Sequence, residues 1–281
     1  MRLASGKARV AGVMGWPVGH SRSPRLHGHW LAEHGIDGAY VPLPVPPERL
    51  GDAVRGLSAL GLRGCNVTVP HKEAVIPLLD RIDATARATG AVNTIVVEAD
   101  GTLSGSNSDV FGFLENLREG VPDWRPAGTV AVVVGAGGAA RAVAWALREA
   151  GVGEVRVVNR TDDRARRLAA DIGRPVRVVA WAEREAALDG AGLLVNTTTQ
   201  GMEGQPPLDL RLDALPRTAV VNDIVYVPLT TPLLAEAGRR GNPVFDGLGM
   251  LLHQARPGFA AWFGAEPAVT PALRRAVLGG A

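Results

Sequence analysis

Two rhythms of hydrophobic and polar positions alternate along this chain. Short, β-rich apolar runs are followed by longer segments with apolar residues at helical spacing, almost from end to end. Such alternation predicts an α/β fold with a largely parallel sheet. In the first third, ARVAGVM (8–14) reads as a strand, and Ser23-Pro24 opens a helix running to about Gly35, with serine at the cap and proline just inside. A strand near 39–45, a helix over 47–60 and a strand through CNVTV (65–69) follow, and Pro70 is expected to start the next helix. AVNTIVVEADGTLSG (91–105) reads as a hairpin turning at Asp100-Gly101, with a helix near 109–119 beyond it.

The pattern changes after the loop VPDWRPAG (121–128). TVAVVVGAGGAARAVAWAL is a continuous apolar strand, a glycine turn and a helix, and further strands are expected at 154–158, 176–180, 191–195 and 218–224. A break at Gly241-Asn242-Pro243 precedes a helical stretch, MLLHQARPGFAAWF (250–263), and a last helix near 271–278. Leu248, Leu251, Leu252, Ala255 and Phe259 form an apolar face that must be buried, while the preceding domain already has its own strands and helices. The expected organisation is a first α/β domain at 1–106, a Rossmann-type domain at 107–244, and C-terminal helices (245–281) returning to the first domain.

The glycine turn carries the clearest chemistry. GAGGAA (135–140) fits G-x-G-x-x-G/A directly after a strand and at the start of a helix. Gly135 permits the tight turn, Gly137 lets backbone approach a pyrophosphate, and Ala140 allows close helix–strand packing. Ala136, Gly138 and Ala139 complete the turn, with phosphates expected on the helix N-terminus. A glycine pattern alone is weak in a chain with 35 glycines; strand, turn, helix and second strand in the required order give it weight. The second strand, EVRVV (154–158), ends in Asn159-Arg160-Thr161, where an NAD site usually carries Asp or Glu. A guanidinium and a hydroxyl there, with Arg164 close behind, suit a 2′-phosphate and predict NADP (NADPH) as cofactor. Asp162 and Asp163 read as the first turn of the next helix, where they favour its dipole.

Composition narrows the classes. At 281 residues, 46% of them apolar, two domains with real cores are expected. The formal net charge is only +2 and basic residues are dispersed, apart from Arg160, Arg164, Arg166 and Arg167. With 5% aromatic residues, nothing resembles a nucleic-acid groove. Cys65 is the one cysteine, so a reducing compartment fits. The N-terminus lacks the apolar core of a signal peptide, and the longest apolar stretch, near 129–140, falls short of the roughly 20 residues that span a bilayer. A soluble, cytoplasmic protein without membrane association is expected. His27 and His29, with His20 and His34 nearby, tempt a metal reading, but helical positions two apart do not share a face, so no metal is expected.

Further motifs lie on both sides of the glycine turn: GHSRSP (19–24), NVTVPHK (66–72), GAVNT (90–94), GSNSDVFGF (105–113), VNDIVYVPLTTPLL (221–234) and DGLGMLLHQA (246–255). Together with GAGGAARA…NRT, and in this order from about residue 10 to 264, they closely resemble the shikimate dehydrogenase family. The resemblance implies reversible, NADPH-dependent reduction of 3-dehydroshikimate to shikimate, a step of aromatic amino acid and chorismate biosynthesis, in a cleft between the domains. It implies that Ser21, Ser23 and Tyr226 hold the substrate carboxylate and that Asn66, Thr68, Asn93, Asp109 and Gln254 line the ring hydroxyls. Lys72 and Asp109 would be the catalytic pair, with Ile224 and Gly247 near the nicotinamide. The chain departs from the family pattern at Ser108, where threonine is usual, and in the run Thr197-Thr198-Thr199.

The residue types suit that chemistry. A polyhydroxylated acid needs an anion site and several fixed donors and acceptors. Ser21 and Ser23 sit at a helix start, which favours a carboxylate, although Ser23 could instead simply cap the helix. Asn66 and Thr68 alternate along a strand and point the same way. Hydride transfer at the alcohol carbon needs a partner for the hydroxyl proton; Lys72 suits this in a partly desolvated site, with Asp109 to orient it. Which of the two carries the proton stays open, and the plain alternative is a surface ion pair. A broader quinate/shikimate oxidoreductase is the main alternative activity. A non-catalytic sensor of the same fold should lack the lysine or the aspartate, and both are here. The expected partner is a small-molecule substrate. The sequence sets no oligomeric state, and a homodimer is compatible with it.

Overall fold

Residues 9–15 form β1 (Arg9–Gly15), which pairs in parallel with β2 (Gly38–Pro44) on one side and β3 (Gly64–Val67) on the other. The computed structural model describes residues 4–279, so the outer ends of the expected domains, 1–3 and 280–281, lie outside the described residues. Two compact units divide the chain, Met1–Ser108 with Leu251–Ala281, and Asp109–Met250. In the first, α1 (Ser23–Glu33), α2 (Leu50–Ala59), β4 (Arg81–Ile82), α3 (Ala84–Thr89), β5 (Thr94–Val97) and β6 (Leu103–Ser106) complete a six-stranded sheet and its helices, with strand order β2-β1-β3-β5-β6-β4.

This sheet is parallel around β1 and turns mixed where the hairpin expected at 91–105 enters it. The 91–105 segment is the cause: Gly101 at φ +85° turns the chain back tightly, and a tight turn makes antiparallel neighbours of β5 and β6. Three local readings change. Pro70 starts no α-helix; residues 72–75 form turns that run into a 3₁₀ turn at Ile76–Leu78. Pro77 lacks the N–H that a continuing helix would donate back to Glu73. In α1, Arg22 occupies the cap position and makes no side-chain cap bond, and Ser23 is already inside the helix. The short α3 went unread, although Asp83 caps it through Ala86 N at 2.6 Å and Gly90 ends it at φ 62°.

The second unit holds α4 (Asp109–Gly120), β7 (Val130–Val134), α5 (Gly138–Glu149), β8 (Glu154–Val158), α6 (Asp162–Ile172), β9 (Val176–Val179), β10 (Leu193–Asn196), β11 (Val220–Asp223), α7 (Pro232–Arg240) and β12 (Val244–Phe245). All its strands are parallel, in the order β12-β11-β10-β7-β8-β9. Strand order reverses between β7 and β10, which defines a doubly wound Rossmann sheet with its ligand crevice at that switch point. Along β7 successive residues serve opposite cores. Ala131 and Val133 pack with Phe113, Val143 and Leu147, and Val132 and Val134 with Leu188, Leu194 and Leu234. A strand buried on both faces reads as one unbroken apolar run for this reason.

Two helices end the chain, α8 (Leu248–Phe263) and α9 (Pro271–Leu278). From Leu251 onward they belong to the first unit: Trp262 Nε1 donates to Ile95 O and Trp30 Nε1 to Ala268 O, both at 2.9 Å. Among the described residues, no helix is long and apolar enough to cross a membrane.

His27 sits inside the aromatic cluster these helices complete, stacked on Tyr40 with ring centroids 3.9 Å apart, with Trp30 edge-on to it and Phe259 and Trp262 each at 5.8 Å. Burial lowers its pKa to about 3. The folded state therefore excludes a proton that the unfolded chain takes up near pH 6.5, so this group costs no stability above pH 6.5 and a growing amount as pH falls toward 3. Each pH unit in that window removes about 1.4 kcal/mol. Chemical unfolding at pH 7 and pH 5 is expected to show wild type losing about 2 kcal/mol more than His27→Phe. Equal acid losses in the two proteins would count against a neutral, buried His27.

Candidate active site

In the first unit, buried carboxamides and hydroxyls converge from five chain segments. Asn66, in β3, accepts from the Tyr40 hydroxyl (2.5 Å) and donates to Asn93 O (3.1 Å) and Thr94 Oγ1 (3.2 Å). Asn93 Nδ2 donates to Ser108 Oγ (3.0 Å) and Gln254 Oε1 (3.3 Å), and its Oδ1 accepts from Ser108 N (2.9 Å). Ser108 Oγ in turn donates to Gln254 O at 2.7 Å. Asn66, Asn93 and Gln254 are thus brought together. A buried polar network is tolerable only when its members satisfy one another, and here they do. Sequence reasoning left out Tyr40 and Thr94, and treated Ser108 only as a departure from a pattern. Nothing local marks Tyr40, a lone aromatic in a strand.

Elsewhere in the first unit, Ser21 Oγ accepts from Ser23 N at 3.3 Å, so Ser21 serves the helix start and Ser23 is buried within it. Thr68 is half-buried just beyond β3. Lys72, also half-buried, accepts from Val92 N through its carbonyl at 2.8 Å, which ties its turn to the segment carrying Asn93. His71 is buried with Nε2 2.7 Å from Val45 O, a contact that holds the same turn in place. Burial pushes the Cys65 thiol up to about 12, which suits a core residue and not a nucleophile.

In the second unit, Asp109 is buried as the first residue of α4. Gly135 follows β7 at φ +116°, and a Cβ there would sit 2.5 Å from Thr197 Oγ1, so the turn requires glycine. A Cβ on Gly137 would meet nothing within 4 Å, leaving open space before the uncapped N-terminus of α5. Ala136 and Ala139 are half-buried and Ala140 is fully buried. At the end of β8, Asn159 Nδ2 bonds Thr161 O (2.8 Å), and Thr161 heads α6 without spending its side chain on the cap. Arg160 and Arg164 are exposed beside it, while Asp162 is engaged by Arg166 at 2.6 Å. Open backbone N–H groups, an unspent hydroxyl and two guanidinium groups suit the pyrophosphate and 2′-phosphate of a dinucleotide.

Past β11, Ile224 and Tyr226 are half-buried. Gly247 presses on Ile224: a Cβ there would overlap the Ile224 carbonyl group and come within 2.7 Å of its Cα.

A Rossmann sheet with a phosphate-binding turn, in one chain with an α/β unit whose buried polar network suits a hydroxylated acid, defines the class of nicotinamide-dependent oxidoreductases. Residues 13–95 match the shikimate dehydrogenase substrate-binding domain, and residues 124–202 match the shikimate/quinate 5-dehydrogenase family. The shikimate dehydrogenase (NADP(+)) of Paramagnetospirillum magneticum is 64% identical, over 98% of this chain and 99% of that protein. Shikimate 5-dehydrogenase from Thermus thermophilus, solved with NADP(H) and shikimate, superposes with TM-score 0.85 at 39% identity, covering 96% of this chain and 99% of that one. Quinate dehydrogenase from Corynebacterium glutamicum, solved with NAD, superposes with TM-score 0.89 at 33% identity, covering 97% and 99%. The chain belongs to the shikimate dehydrogenase family.

Proposed function

We propose that the chain catalyses the NADPH-dependent, reversible reduction of 3-dehydroshikimate to shikimate. The observation that carries this reading is the buried network of Asn66, Asn93 and Gln254, carboxamides suited to ring hydroxyls, in a chain so similar to NADP-dependent shikimate dehydrogenases. Bound NADPH would supply the hydride. Ser21, Ser23 and Tyr226 would hold the carboxylate, and Asn66, Thr68, Asn93, Asp109 and Gln254 the ring hydroxyls. Lys72 and Asp109 would handle the hydroxyl proton. Ala136, Gly137, Gly138 and Ala139 would cradle the pyrophosphate, with Asn159, Arg160, Thr161 and Arg164 at the 2′-phosphate and Ile224 and Gly247 beside the nicotinamide. A single buried cysteine accords with a reducing cytoplasm.

Purified protein mixed with NADPH and 3-dehydroshikimate is expected to oxidise the cofactor, and much faster than it turns over quinate with NAD. Folded protein without turnover would overturn the reading, and a quinate rate as high as that for shikimate would move it to the broader activity. Arg160 makes the cofactor choice testable. A hydrogen bond to a charged group contributes roughly 1.5–3 kcal/mol, so Arg160→Leu should weaken NADPH by about ten- to a hundredfold. NADH affinity should change little; equal losses for both cofactors would show that Arg160 does not read the 2′-phosphate.

A further inference from the structure

We propose that Asp223 is a positioning residue for the nicotinamide half of the dinucleotide site. It would act by holding the Ile224–Tyr226 segment rather than by touching cofactor or substrate. The inference rests on the reading above, in which Ile224 borders the nicotinamide and Tyr226 the substrate carboxylate.

Asp223 ends β11 with no exposed surface. Its carboxylate is held by three donors from three segments: Asn196 Nδ2 at the end of β10 (3.0 Å), Val225 N just downstream (3.0 Å), and Thr231 Oγ1 at the cap of α7 (2.7 Å). Burial raises its pKa, and these donors oppose the rise. A carboxylate offers more acceptor capacity than any neutral side chain of its size, which lets one residue clamp three segments at once.

Two of the clamped segments lead to predicted cofactor contacts, and the third anchors the start of α7. Asn196 precedes Thr197, the residue against Gly135; its Oδ1 accepts from Thr198 N and Oγ1 at 3.0 and 2.8 Å, and its carbonyl from Ile224 N at 3.1 Å. Val225 lies between Ile224 and Tyr226, and Thr231 Oγ1 also accepts from Leu234 N to start α7. In a doubly wound sheet the two halves of a dinucleotide lie on opposite sides of the switch point. The 2′-phosphate residues Asn159, Arg160, Thr161 and Arg164 follow β8, on one side. Asp223 and Ile224 follow β11, on the other. A defect at Asp223 should therefore be confined to one half of the cofactor.

The test compares two ligands by calorimetry, NADPH and adenosine 2′,5′-bisphosphate, which carries the 2′-phosphate but no nicotinamide. Asp223→Ala is expected to weaken NADPH by about ten- to a hundredfold and the bisphosphate by less than about twofold. Asp223→Asn keeps the shape but not the full acceptor capacity, so it should show the same split at about three- to tenfold. It carries the test alone if the alanine variant does not fold. Parallel loss of both ligands would mean a general loosening of the unit and would overturn the proposal, as would unchanged binding of NADPH. Wild type that fails to bind NADPH would instead remove the functional reading itself. If Arg160→Leu weakens NADPH while Asp223 variants do not, only the role of Asp223 falls.

Discussion

Lys72→Met is expected to lower kcat by about 10²–10⁴-fold, the usual contribution of a general acid–base group, while the substrate KM rises far less. Methionine keeps an unbranched apolar stem of similar length and removes only the ammonium group, so the stem's packing should survive. The turn itself is held independently of that side chain, by Lys72 O on Val92 N and by His71 against Val45. Steady-state rates in both directions test this. A variant that loses KM and retains kcat would make Lys72 a binding residue only. If Lys72 and Asp109 act as one unit, the double variant with Asp109→Asn should cost much less than the product of the single losses. Full multiplicativity would assign them separate roles.

The second large effect is expected at Gly247. Its added methyl in Gly247→Ala would run into backbone atoms of Ile224, which cannot swing aside as a side chain could. Ile224 has little room to retreat, because its N–H is bonded to Asn196 O and the preceding Asp223 is clamped. Overpacking of this kind costs about 1–3 kcal/mol, enough to lower the melting temperature of the second unit by several degrees. A displaced Ile224 should also weaken NADPH by about tenfold or more, as an overpacking cost of this size would. Thermal unfolding and NADPH titration of the same sample check both effects. Unchanged behaviour in both would show that the contact between Gly247 and Ile224 relaxes freely.

Much of the Rossmann unit could be read along the chain because its signals are local. An apolar run, a glycine turn and a helix start lie within about twenty residues at 129–149, and the observed β7, Gly135 turn and α5 fall there. The capping residues Asp83 and Thr231 were equally local, yet α3 and α7 were not read from them. The expected helix at Pro70 failed on local grounds too, since Pro77 lacks the required donor.

What the sequence alone determined about this protein is therefore the order of most of its elements, the glycine turn, and the residue types on offer to a ligand. Those depend on neighbours within a few residues, where helical or strand periodicity and turn chemistry operate. Only the tertiary structure decided that β5 of the hairpin pairs antiparallel with β3, that Asn93 and Gln254 share one hydrogen-bond network across 161 positions, and that Tyr40 lies flat on His27 with its hydroxyl on Asn66. It also decided that Asp223, which reads in the sequence as a plain strand end, clamps three segments. The physical reason is that such meetings depend on strand order and register. Those follow from how separate apolar faces are buried together, and no short stretch of chain carries that information.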